Sequence, residues 1–213
     1  MRVLMIASEC VPFAKTGGLA DVVGALPRAL ANLGHRVDVV IPRYRGVAAG
    51  APVGRVTVPL EGRLVDTDVY ATDDRGVRFV FIDRPEYFDR AQLYGIGNDD
   101  YPDNPVRFTL LNRSALEWAA ASGEPYDVVH AHDWQAGLAP VLLGREFGAS
   151  GALRHAAAVF TIHNLAYQGL FDPAWLPRLG LSRDLMHVDA LEFWGRISFL
   201  KAGIVFSRLI TTV

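Results

Sequence analysis

The first 42 residues constrain the fold most. Arg2 to Ser8 is a short apolar run bounded by Glu9, Pro12 and a glycine pair, the pattern of a buried strand. After Lys15-Thr16-Gly17-Gly18, the residues Leu19, Val22, Val23, Leu26, Leu30 and Leu33 recur at the spacing of one helical face. Gly34 supplies a left-handed stop, and Pro27 inside the run predicts a kink. Val37-Asp38-Val39-Val40-Ile41, closed by Pro42, reads as a second strand. Strand, glycine loop, helix, strand is a βαβ unit, which implies parallel strands and a right-handed crossover.

Residues 53–83 break that rhythm with strand-like runs at Val56–Val58, Leu64-Val65, Asp68–Tyr70 and Phe79–Ile82, and a turn at Asp73–Gly76. They predict hairpin additions to a parallel core. Tyr87 to Asn104 reads as a long loop, and Asn104-Pro105 as the N-cap and first residue of a helix facing inward through Phe108, Leu111, Ala115 and Trp118. From Tyr126 the alternation resumes. Tyr126–His130 is a strand, Trp134, Leu138, Val141 and Leu142 share a helical face, and Ala157–Ile162 is the next strand. A helix near Gly195–Phe206 and a terminal strand from Leu209 follow. The expected fold is one doubly wound, Rossmann-like α/β domain with a mainly parallel sheet over residues 1–213.

Composition narrows the function classes. With 21 Lys+Arg against 23 Asp+Glu, the net charge of −2 argues against a large nucleic-acid footprint. The single cysteine, Cys10, leaves no intramolecular disulfide framework and fits a reducing compartment. The apolar run at residues 3–8 meets Glu9 too soon for a signal-peptide core or a membrane span, so a cytoplasmic protein is expected. The chain stops in a strand-like run at Thr211-Thr212-Val213, which suggests a piece of something larger.

Ligands of open α/β sheets bind beyond the carboxyl ends of the strands, and three polar clusters fall there. In Lys15–Asp21, paired glycines before a helix N-terminus, with a lysine alongside, suit a phosphate or diphosphate. An ordinary glycine turn with a solvated lysine fits the same pattern. In His130-Ala131-His132-Asp133-Trp134, the two histidines share a strand face, so a metal site with His163 is one reading. Local packing, with Asp133 capping the helix after it, is another. His163 and Asn164, directly after a buried strand, surface in the same crevice. Trp134, Tyr94 and Tyr167 offer apolar platforms or core, and Glu9 completes the ring. A phosphorylated or nucleotide-activated polar substrate fits this set.

At residues 15–27, 130–140 and 161–169, and again at Tyr101–Asn104 and Phe199–Gly203, the sequence closely resembles the ADP-glucose-dependent glycogen and starch synthases. The resemblance implies one half of a two-Rossmann GT-B glycosyltransferase, with the active site between the halves. It implies retaining transfer of glucose from ADP-glucose to the non-reducing end of an α-1,4-glucan such as glycogen, with no metal or other cofactor and neither nucleic acid nor membrane as partner. Position by position, Lys15, Gly17, Gly18 and Asp21 would serve the donor, Asp133 and His163 the transferred glucose, and Glu9, Tyr94 and Asn164 the acceptor. The match corresponds to the N-terminal domain. The family's second domain, with most of the nucleotide pocket, an Arg/Lys pair and an essential glutamate, has no counterpart in these residues, so negligible transfer by this chain alone is expected. A non-catalytic glucan-binding module, a transferase using another nucleotide sugar, and a hydrolase with metal on His130, His132 and His163 are the competing readings.

Overall fold

The computed structural model describes all residues except Ala49, Asn98 and Ser150. The predicted βαβ unit forms β1 (Arg2–Ile6), α1 (Gly18–Asn32) and β2 (Arg36–Pro42), with β1 and β2 parallel and buried on both faces. The helix ends as Gly34 predicts. Its φ is +84°, its N–H donates to the Ala31 carbonyl, and the His35 N–H donates to the Leu30 carbonyl, a Schellman closure. α1 is a single helix that runs through Pro27. Proline strips the Val23 carbonyl of its helical donor, and the buried Cys10 thiol lies 3.5 Å from that oxygen. Burial pushes this thiol up to about 12, which keeps it a donor.

The hairpins form as expected. β3 (Gly54–Leu60), β4 (Arg63–Asp74) and β5 (Val77–Asp83) are antiparallel to one another, while β5 lies parallel to β2. Leu64-Val65 and Asp68–Tyr70 are one strand, not two. Both connections are two-residue turns, Glu61-Gly62 and Arg75-Gly76, with positive φ at each position, the mirror-image turn whose twist suits a hairpin. β3 alternates buried and exposed residues, as one solvated face requires.

α2 (Pro85–Phe88) runs into the segment read as a long loop, which also holds a minimal hairpin of β6 (Gly95–Ile96) and β7 (Asp99–Asp100). Asn98, part of that reading, lies outside the described residues. Helix α3 (Asn104–Ala121) starts one residue before the prediction, with Asp103 as N-cap. Asn104 is therefore no cap. Its amide donates to the Tyr94 carbonyl and its oxygen accepts from Arg107, both inside the protein. Phe108, Leu111 and Ala115 are buried as predicted, but so is nearly every residue from 104 to 116. The helix packs against β3 and the strands around it on one side and the segment after β8 on the other. Arg113 crosses to Glu146 at 2.6 Å and to the Gly180 carbonyl at 3.0 Å.

β8 (Val128–His132) begins two residues later than predicted, and β9 (Ala157–Ile162) forms where expected. The helix expected from Trp134 is broken into a 3-10 turn (Trp134–Ala136), α4 (Ala139–Leu142) and a wide turn at Leu143–Phe147. Pro140, in the first turn of α4, suits a new helix start rather than a continued run. After β9 come β10 (Leu170–Phe171), α5 (Trp175–Arg178), β11 (Glu192–Phe193), β12 (Arg196–Ser198), α6 (Phe199–Phe206) and β13 (Leu209–Thr212). Residues 196–198, predicted helical, are a strand. Ser198 is the true start signal, its hydroxyl accepting from the Lys201 N–H.

The main sheet runs β13-β9-β8-β1-β2-β5-β4-β3, and a small one runs β10-β12-β11. From β1 the chain first builds outward through β2 and the hairpins, then α3 carries it back to β8 on the other side of β1. The strand order reverses between β1 and β8. A doubly wound sheet opens its ligand crevice at such a point.

Candidate functional site

The three polar clusters do converge at this reversal. Glu9 follows β1, Asp133 follows β8, and His163 follows β9. Glu9 is only 3% exposed and lies beneath the glycine loop. One carboxylate oxygen accepts the Thr16 and Gly17 N–H groups, and the other accepts the Thr16 hydroxyl at 2.6 Å and the Tyr94 hydroxyl at 2.5 Å. Ser8 Oγ sits 2.8 Å from the same phenol. Burial holds the Tyr94 phenol well above its ordinary range, so it remains a donor. Sequence reading missed this clamp because Ser8 and Thr16 carry no pattern of their own.

The Gly17 N–H thus points at Glu9. The next amides, at the start of α1, have no side-chain cap, which leaves the positive end of a 15-residue helix open to an anion. Gly17 is extended (φ −146°, ψ −164°), and a Cβ at Gly17 or Gly18 would meet nothing within 4 Å. Neither backbone geometry nor packing in this chain requires glycine there. Lys15 Nζ lies 2.7 and 2.8 Å from the two Asp21 carboxylate oxygens, with both side chains exposed.

Asp133 has φ +56° and ψ 179°, a region essentially reserved for glycine. It does not cap the turn at Trp134. Instead its Oδ1 accepts the His163 N–H at 2.7 Å and, at 3.4 Å, the Asn164 N–H, tying the end of β8 to the start of the next loop. Burial raises the Asp133 carboxyl while those two N–H groups oppose the shift. Asn164 is exposed, its side chain closing a local turn onto the Ala166 N–H at 3.0 Å. Gly169 has φ +59°, and a Cβ there would lie 2.6 Å from the Trp134 ring, so the loop passes directly over that indole. Trp134 is core, packed on Phe108 at 5.0 Å between ring centroids, while Tyr167 stands exposed.

The histidines form a stack. His130 lies over His132 with centroids 4.1 Å apart, and His132 Nδ1 is 2.9 Å from His163 Nε2. His130 Nε2 is 2.6 Å from the Thr161 hydroxyl. Stacked rings do not converge their lone pairs on one point about 2 Å away, as a metal requires. Among the described residues no group of three or more His, Cys, Asp or Glu side chains is arranged to hold an ion. The metal-hydrolase reading fails on that geometry.

Burial lowers all three imidazoles, His130 from 6.5 to about 4. The unfolded chain therefore binds protons on these groups before the folded one does. Their stabilising effect is complete above pH 6.5 and is lost as pH falls toward 4. For His130 this amounts to about 3 kcal/mol across the window. Urea midpoints measured from pH 7 to pH 4 should fall accordingly, and a His130→Gln chain should show a shallower decline.

In topology this is one Rossmann-like half of a GT-B glycosyltransferase. Residues 2–213 match the family model described as the starch synthase catalytic domain. The chain belongs to that family. It is 47% identical to a glycogen synthase of Koribacter versatilis and 46% identical to one of Anaeromyxobacter dehalogenans, in each case over all of this chain and 45% of the relative. The catalytic domain of Starch Synthase IV from Arabidopsis thaliana, solved with ADP and acarbose bound, superposes with a TM-score of 0.90 at 32% identity, covering 99% of this chain and 44% of that one. The chain thus spans about half the length of these relatives. Among the described residues no helix is long and apolar enough to cross a membrane.

Proposed function

We propose that this chain is the N-terminal half, residues 1–213, of a two-domain retaining transferase that moves glucose from ADP-glucose to the non-reducing end of an α-1,4-glucan in the cytoplasm. The observation that carries the reading is the glycine pair: two glycines with no conformational or packing need, facing open space before an uncapped helix N-terminus at the strand reversal. Backbone that a diphosphate must approach closely is the remaining reason for both. Lys15 and the open amides at the start of α1 would offset charge on the departing ADP. The diphosphate displaces Asp21 as the partner of Lys15.

Asp133 and His163 would line the glucose, held together by the Oδ1 to N–H bond, with the carboxylate beside the carbon that gains positive charge. Glu9, Tyr94 and Asn164 face the acceptor, with Glu9 also holding the glycine loop from below. No cofactor enters this scheme. The ADP and acarbose held by the Arabidopsis relative suit a nucleotide diphosphate on one side and an α-glucan on the other.

Titrating ADP-glucose into the isotope-labelled chain should move the amide resonances of Lys15, Gly17, Gly18 and His163, with weak affinity. Gly18→Ala should leave stability unchanged or raise it by up to about 1 kcal/mol, since alanine is the better helix residue, and should abolish those shifts. Undisturbed amides in the 15–21 segment at saturating ADP-glucose would refute the donor assignment.

A further inference from the structure

We propose that the hairpin tip at Trp194 is a second contact for the α-glucan, a platform on which one pyranose ring stacks away from the reacting end. The inference rests on the glucan reading above. β11 and β12 pair with Phe193 opposite Arg196, leaving Trp194-Gly195 as a two-residue turn with φ of +52° and +75°. Such turns favour Asn-Gly or Asp-Gly, and a bulky residue at positive φ is strained. The indole is also 88% exposed. Turn geometry and burial both disfavour tryptophan at this position, so neither explains it.

The hairpin is built stiffly. The Glu192 carboxylate accepts the Gly195 N–H at 2.8 Å, Lys201 Nζ donates to the Glu192 and Val188 carbonyls, and Arg196 donates to the Leu170 carbonyl at 2.7 Å. A rigid aromatic loses little entropy on binding. The same small sheet continues into the crevice. β12 pairs with β10, and the Phe199 and Leu200 N–H groups donate to the Gly169 and Gln168 carbonyls at the end of the loop that carries His163 and Asn164. A glucan held at Asn164 and an indole on this hairpin therefore share one frame.

The chemistry selects a sugar. One indole flanked by Gly195 and the exposed Arg196 falls far short of the ~1,000 Å² that a specific protein interface buries. It matches the area of a single ring. The C–H face of a pyranose, slightly positive, meets the negative face of the indole, while its hydroxyl rim reaches the polar flanks.

Trp194→Asn places a favoured residue in the turn, so its melting temperature should equal or exceed that of the parent chain. Its affinity for glycogen, measured by retardation in native gels, should fall about tenfold, the scale of one lost aromatic contact, and Trp194→Phe should recover part of it. Glycogen should also shield the parent chain's fluorescence from acrylamide. Unchanged affinity in Trp194→Asn, with a loss in Asn164→Ala, would overturn the platform and leave the glucan reading standing. No retardation of the parent chain would overturn both. Loss of self-association in Trp194→Asn, read by sedimentation, with glycogen binding intact would assign the tip to a second copy instead and so refute the proposal.

Discussion

Asparagine at Asp133 should lower glucosyl transfer by the two-domain enzyme about 100-fold or more while barely moving its melting temperature. The substitution keeps an oxygen where Oδ1 now accepts the His163 and Asn164 N–H groups. Asparagine has the size and shape of aspartate, so the unusual backbone at φ +56° meets no new steric demand. On the proposed role, what disappears is the negative charge beside the reacting carbon. Losing one preorganised electrostatic group typically costs about 10²–10³ in turnover. The KM for ADP-glucose should change much less than kcat, because the proposed diphosphate site lies at the glycine loop and not at Asp133. A variant with full turnover would remove Asp133 from the mechanism. A variant with a collapsed melting temperature would mean that the carboxylate serves mainly the fold.

The second large effect lies in the fold. Alanine at Gly137 would set its Cβ 1.9 Å from the Phe199 carbonyl oxygen and 2.7 Å from its carbon. Both are backbone atoms, so no side chain can swing away. Relief requires moving the start of α6, and with it the junction to β12. The expected loss is about 4 kcal/mol or more, the range of exceptional single substitutions. Gly203→Ala also clashes, at 2.4 Å, but with the Phe160 ring, a side chain rather than fixed backbone, so a smaller penalty is expected. Gly17→Ala meets nothing and should be neutral. Urea denaturation of the three variants should rank them in that order, and a Gly137→Ala chain within ~1 kcal/mol of the parent would contradict this packing.

What was legible in the sequence was local. The βαβ unit, the Gly34 stop, the Asp73–Gly76 turn and the terminal strand each depend on residues close in the chain, and each formed. Asn104 misled because the cap pattern is read from the helix start alone, whereas its amide is taken by the Tyr94 carbonyl from the preceding loop and its oxygen by Arg107 one turn on. Gly195–Ser198 looked helical because apolar residues at 197, 199 and 200 fit either period in so short a window. The candidate site was legible as positions, since strand ends announce themselves. The bonds among those positions were not. Nothing in Glu9 alone shows that it would hold Thr16 and Gly17 from beneath, and nothing in Asp133 shows that it would reach the loop after β9.

Glucose transfer from ADP-glucose to glycogen tests the central claim most directly. The assay compares the 213-residue chain alone with the same chain joined to the remaining portion of the Koribacter versatilis glycogen synthase. Incorporation should be negligible for the chain alone and substantial for the joined protein. Robust elongation by the chain alone would contradict the account, as would an inert joined protein beside an active Koribacter enzyme.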